Sequence, residues 1–115
     1  MASTPESHET FRFGDFDLDV SAYELRFHGR AVQIERRPMD LLILLVERRG
    51  QLVSRQTIVE QLWGEDVFVE VEPGINTVVW KIRRALGDSS DNSKLVETVS
   101  GRGYRFVAPV EVVAK

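Results

Sequence analysis

Phe11, Phe13, Phe16, Leu18 and Val20 recur near every second position, with Asp15, Asp17 and Asp19 between them. That alternation predicts two short strands around a turn at Gly14-Asp15. Glu24 to Phe27 and Ala31 to Ile34 read as two more strands, joined at His28-Gly29-Arg30. Together they predict a small four-stranded antiparallel sheet. From Glu35 to Arg49 the period becomes helical: Met39, Leu42, Ile43 and Val46 share a face that Leu41 and Leu45 widen. Pro38 falls in the first turn, where a missing N–H costs little, and Gly50 marks the stop. Gln51-Leu52-Val53 has room only for a bridge strand. Ser54 is the expected N-cap of a second helix over Arg55 to Trp63, with Ile58, Val59, Leu62 and Trp63 on its apolar side. A third helix is predicted over 73–86, opened by Pro73, with Ile75, Val78, Val79, Ile82 and Leu86 inward. Lys94 to Ser100 and Tyr104 to Val110 then form a hairpin around Gly101-Arg102-Gly103.

Composition bounds the class. The 115 residues suit one domain with a modest core, and 43% apolar with 29% charged residues is an ordinary globular balance. The expected division is a disordered polar tail over 1–10 and one domain over 11–113. No apolar run is long enough to span a bilayer, and the absence of cysteine excludes disulfides and thiolate metal sites.

The net charge of −3 counts against a nucleic-acid partner, but the charge is sorted along the chain. Gly64 to Glu72 carries Glu65, Asp66, Glu70 and Glu72 and no base, whereas Pro73 to Leu86 carries Lys81, Arg83 and Arg84 and no acid. With its apolar stripe buried, the third helix presents Asn76, Thr77, Trp80, Lys81 and Arg84 on the opposite face. Asn can hydrogen-bond adenine twice, Lys and Arg can read guanine or hold phosphate, and a Thr methyl can meet the thymine methyl. A solvated helix face would look similar, so the neighbours matter. A preceding helix makes a helix-turn-helix variant with a long connection. The hairpin carries Arg102 and Arg105 on a thin projection suited to a minor groove or backbone. Arg36, Arg37, Ser54 and Arg55 stand at helix N-termini, where backbone N–H groups and cations favour phosphate.

Four stretches also match a known pattern: FGDFDLD (13–19), PMDLLILLVERRGQLVSRQTIVEQLWG (38–64), INTVVWKIRRALGD (75–88) and LVETVSGRGYRFVAPV (95–110). Through them the chain from Phe11 to Val110 resembles the C-terminal effector domain of OmpR/PhoB-type response regulators. It is closer still to the CadC/ToxR-like branch, where that domain opens a longer regulator. The resemblance implies an α+β fold: a winged helix-turn-helix with an N-terminal four-stranded sheet, three helices and a C-terminal hairpin wing. It implies that 73–86 is a recognition helix in the major groove and that the wing, 94–108, lies on the adjacent minor groove or backbone. Carried onto this sequence, base contacts fall on Asn76, Thr77, Trp80, Lys81 and Arg84. Backbone and wing contacts fall on Arg36, Arg37, Ser54, Arg55, Arg83, Arg102 and Arg105. The loop with Glu65, Asp66, Glu70 and Glu72 is implied to face RNA polymerase. Family members often carry a base where Trp80 stands, which leaves Trp80 three uses: stacking on a sugar, packing on a thymine methyl, or burial against a partner.

The expected partner is double-stranded DNA, bound by pairs of copies on repeated half-sites, in the cytoplasm of a bacterium and within a phosphorelay-type regulatory system. The chain is either a small whole protein or the head of a longer, membrane-bound sensor. The rival reading is a protein-interaction module that keeps the fold without DNA, motivated by the acidic pI, Trp80 and the acidic loop. No enzyme, cofactor or small-molecule substrate is expected. Asp15, Asp17 and Asp19 read as an exposed strand face, since no metal-loop spacing follows them. His8 and His28 lack partners at ligand spacing. Gly101-Arg102-Gly103 lies between strands and so is no phosphate loop. Ser54 and Ser100 have no base within plausible reach. Trp63 reads as core at a helix end, with a backbone contact to DNA as its other use.

Overall fold

A computed structural model describes residues 10–64, 71–88 and 94–113, with backbone alone at 71–73. The described residues form eight strands and three helices in two compact units, one reaching to Gln33 and resuming at Pro109, the other Ile34–Ala108. Glu65, Asp66 and Glu70 of the acidic loop lie outside the described residues, as does the side chain of Glu72. So does the tail predicted over 1–10, except Thr10. That residue is buried and opens the first strand, because its backbone pairs with Asp19 and Val113.

The first unit is a sheet of β1 (Thr10–Phe13), β2 (Phe16–Asp19), β3 (Glu24–Phe27), β4 (Arg30–Ala31) and β8 (Glu111–Val113), in the order β4-β3-β2-β1-β8. The four predicted strands are present and a fifth joins them. The strand expected over Tyr104–Val110 stops at Phe106, and the chain resumes pairing only after Pro109, which cannot donate to a ladder. β4 is displaced from the predicted Ala31–Ile34: it begins at Arg30, which was expected in the turn, and 32–34 lie outside any strand. Register aligns Phe11 with Leu18, Leu18 with Leu25, and Phe16 with both Phe13 and Phe27, so one face is apolar. Opposite it, Glu111, Arg12, Asp17 and Arg26 stand in one cross-strand row. The Arg12 Nε donates to Asp17 at 2.8 Å, and that hydrogen bond and charge push the Arg12 pKa further up. Arg26 pairs with Glu24.

Asp19 corrects the expectation of an exposed acidic face. It is buried, and its Oδ1 accepts from the Ser21 hydroxyl (2.9 Å) and the Ala22 N–H (3.1 Å). The carboxylate closes the turn into β3, and those donors compensate its loss of water.

The second unit holds α1 (Arg36–Glu47), β5 (Val53–Ser54), α2 (Arg55–Trp63), α3 (Val71–Leu86), β6 (Val96–Val99) and β7 (Gly103–Phe106). At 100° per residue the buried arc of α1 centres on Leu45 and takes in Leu41, Leu42 and Leu44; Ile43 falls at its margin and is only half-buried. Ser54 caps α2 as predicted, its Oγ accepting from the Thr57 N–H at 3.1 Å, an interaction typically worth about 1 kcal/mol. Only Ile58 of α2 is buried; Val59, Leu62 and Trp63 are half-buried. α3 begins two residues before the predicted Pro73, which still lies in the first turn, where N–H groups have no helical partner.

Ile75, Val78, Val79, Ile82 and Leu86 are all buried, and α3 packs on both α1 and α2. Gly74 is what lets α2 approach: a Cβ there would come within 3.1 Å of the Trp63 ring. That contact accounts for a residue costing about 1 kcal/mol relative to Ala inside a helix.

β5, β7 and β6 form a three-stranded sheet in that order. Gly103 faces both Ser54 and Val99, and a Cβ on it would run into the Val53 carbonyl oxygen and lie 2.9 Å from the Ser54 Cα. The hairpin is thus pressed directly onto the start of α2. Asp88, just past α3, fixes its other root. Its carboxylate accepts from the N–H groups of Lys94, Leu95 and Val96 at 2.9, 3.2 and 2.9 Å.

Candidate nucleic-acid interface

The polar stripe of α3 stands clear of the core. Asn76, Thr77, Trp80 and Arg84 are exposed, Trp80 at 55%, and Lys81 is partly exposed. Helical spacing divides the stripe into two rows. Asn76, Trp80 and Arg84 follow one another at i+4, and Thr77 and Lys81 form the second row beside them.

The first row borders a groove of about 600 Å³ shared with the wing, lined also by Arg55, Arg83, Thr98 and Tyr104. The second row borders a groove of about 350 Å³ shared with the start of α1 and the end of α2, lined also by Glu35, Arg37 and Trp63. Helix and wing therefore present their polar groups to a common groove. Arg102, Arg105 and Ser54 line neither groove.

The arginines around α3 are held in different ways. The Arg84 guanidinium lies 5.2 Å from the Trp80 ring centroid, Arg37 lies 4.9 Å from that of Trp63, and Arg55 lies 5.5 Å from that of Tyr104. Stacking on a ring orders the planar group without itself neutralising its charge. Arg83 is occupied within the fold. It donates to the Val96 carbonyl (2.9 Å) and the Thr98 hydroxyl (2.8 Å) and so braces α3 against β6. Arg105 sits directly across from Glu97 in the wing and pairs with it at 2.8 Å. Arg36 lies 3.8 Å from Asp40 one turn along. Arg102 stands exposed at the hairpin tip. The Ser54 hydroxyl is used for capping and reaches Thr57 Oγ1 at 3.0 Å.

Two side chains absent from the sequence-based list belong to the surface. The hydroxyl of buried Tyr104 donates to Asn76 Oδ1 at 3.2 Å, holding the amide by its oxygen and leaving its two N–H donors uncommitted to that bond. Glu35 accepts from Lys81 Nζ at 2.9 Å. These pairs join residues 28 and 46 positions apart, so local periodicity carried no trace of them. Among the described residues no group of His, Asp or Glu side chains is placed to hold a metal ion, and no helix is long and apolar enough to cross a membrane.

The model of the family "Transcriptional regulatory protein, C terminal" matches residues 29–106. The transcriptional regulator HilA of Salmonella typhimurium is 34% identical over 111 residues, which are 96% of this chain and 19% of HilA, so the chain spans a small part of that relative's length. The DNA-binding domain of CpxR from E. coli superposes with a TM-score of 0.72 at 28% identity, over 85% of this chain and 95% of that one. The DNA-binding domain of E. coli CadC has the same fold, with a TM-score of 0.74 at 22% identity over 93% and 99% of the two chains. With residues, topology and matched length in agreement, the chain belongs to the transcriptional regulatory protein C-terminal family, the winged helices of OmpR/PhoB type.

Proposed function

We propose that this domain binds double-stranded DNA sequence-specifically, as the reading head of a bacterial transcriptional regulator. The single observation that carries the reading is the exposed stripe from Asn76 to Arg84, bordered by a groove whose other wall is the wing. α3 enters the major groove and the wing follows the adjacent minor groove or backbone. Asn76, Thr77, Trp80, Lys81 and Arg84 meet base edges. Arg36, Arg37, Ser54, Arg55, Arg83, Arg102 and Arg105 meet the DNA backbone. One small domain reads few base pairs, so copies bind in pairs on repeated half-sites. The acidic residues Glu65, Asp66, Glu70 and Glu72, which DNA repels, are the contact offered to RNA polymerase. The site of action is the cytoplasm, where the chromosome lies. A module that binds only protein is not favoured, because the similar solved domains, such as that of CpxR, are DNA-binding domains.

A fluorescence titration of labelled duplex at two salt concentrations tests this. A domain neutralising about four phosphates loses about a hundredfold in affinity when salt rises from about 50 to about 200 mM. Lys81→Ala and Arg84→Ala are each expected to weaken binding to a selected duplex by roughly 1–3 kcal/mol. Absence of duplex affinity at low salt removes the proposal, and unchanged isotherms for both variants remove α3 from it.

A further inference from the structure

Glu35 is an odd residue for its place. It is the N-cap of α1, yet its side chain makes no capping hydrogen bond. The first turn it precedes holds Arg36 and Arg37 and no acid, the reverse of what the helix dipole favours. Its carboxylate instead crosses to α3 and takes the Lys81 ammonium at 2.9 Å, with its own side chain 70% exposed. A local carboxylate–cap interaction is thus forgone for a contact on the groove that Thr77, Lys81 and Arg37 share.

From this we infer that Glu35 is a specificity-determining residue of the duplex interface, holding Lys81 as a directional hydrogen-bond donor and withholding it from phosphate. An ammonium has three donors. One is spent on Glu35, and two remain for paired acceptors such as guanine O6 and N7. The pair as a whole carries no net charge, so it adds little to the sequence-independent attraction of the backbone. A bare Lys81 would behave differently, as a mobile cation drawn to any phosphate within reach. Glu35 lowers affinity for arbitrary duplex more than for a site whose bases satisfy the two free donors, and the ratio between them rises.

This inference rests on the DNA-binding reading and is tested with the full chain. Two probes are used: a duplex with a randomised core, and a duplex enriched from that pool by the unaltered protein. Glu35→Gln is expected to tighten the randomised duplex severalfold and to steepen its log–log salt slope by about 0.9, the share of one added phosphate contact. The enriched duplex gains less, so the specificity ratio falls. Lys81→Met placed in the Glu35→Gln background returns the slope to its starting value. Thermal melts of the unaltered protein and Glu35→Gln are expected to coincide, since the pair is surface-exposed. An unchanged slope and ratio in Glu35→Gln overturn the inference while the DNA reading stands. So does equal weakening on both duplexes with a lowered melt, which would make the pair a structural tie. No salt-dependent affinity in the unaltered protein sinks the DNA reading, and this inference with it.

Discussion

On the five-stranded sheet Arg12 and Arg26 each meet a carboxylate, Asp17 and Glu24, whereas around α3 Arg37 and Arg84 each lie over an aromatic ring. Both arrangements order a long cationic side chain. They differ in what they leave behind. A carboxylate removes the positive field, and the cross-strand row Glu111, Arg12, Asp17, Arg26 alternates in sign. A ring supports the guanidinium from one side and leaves its charge for a third party. A chain with a net charge of −3 can therefore hold a locally cationic surface without a general excess of base.

The largest expected effect breaks the scaffold on one side of this contrast. Gly103→Val forces a side chain into the Val53 carbonyl, and it is expected to cost roughly 2–3 kcal/mol of stability and to release the wing. A urea melt reads the first effect and duplex titration the second. A stable variant with full affinity would show that the hairpin need not press on β5. A smaller effect sharpens the contrast. Tyr104→Phe keeps the ring under Arg55 and removes the donor to Asn76. It is expected to weaken a selected duplex by about 1 kcal/mol, the net worth of one such hydrogen bond, and to leave an intact fold by circular dichroism. Equal loss on every duplex, whatever its sequence, would show that Tyr104 does not act through the amide. The smallest effect is on the other side. Asp17→Asn cancels a pairing in the sheet, and neither the melt nor duplex affinity is expected to move. A loss of affinity there would erase the distinction between the two regions.

Local signals made much of this legible in the sequence. α2 was readable to the residue, because Ser54 and Gly64 punctuate it, and the five inward positions of α3 follow from its 3.6-residue period. Its outward face was readable as the complement of those five. What escaped depended on partners distant in sequence. β8 has three residues and no periodicity of its own, and only pairing with β1 makes it a strand. Asp19 sits at an alternating polar position, but a turn folds back to bury it. Arg83 lies on the basic helix, so composition alone grouped it with Arg84. Its bonds to Val96 and Thr98, 13 and 15 positions away, could not be seen from composition. The two supports of the stripe, Tyr104 and Glu35, arrive from β7 and the cap of α1.

The chain's two tryptophans occupy unlike positions: Trp80 is exposed in the middle of the stripe, and Trp63 is half-sunk against Gly74. The molecule thus carries its own optical probe. Replacing Trp63 by phenylalanine would leave a single tryptophan on the surface assigned to the ligand, and its intensity and wavelength, excited beyond the tyrosine band, would follow occupancy without any attached dye.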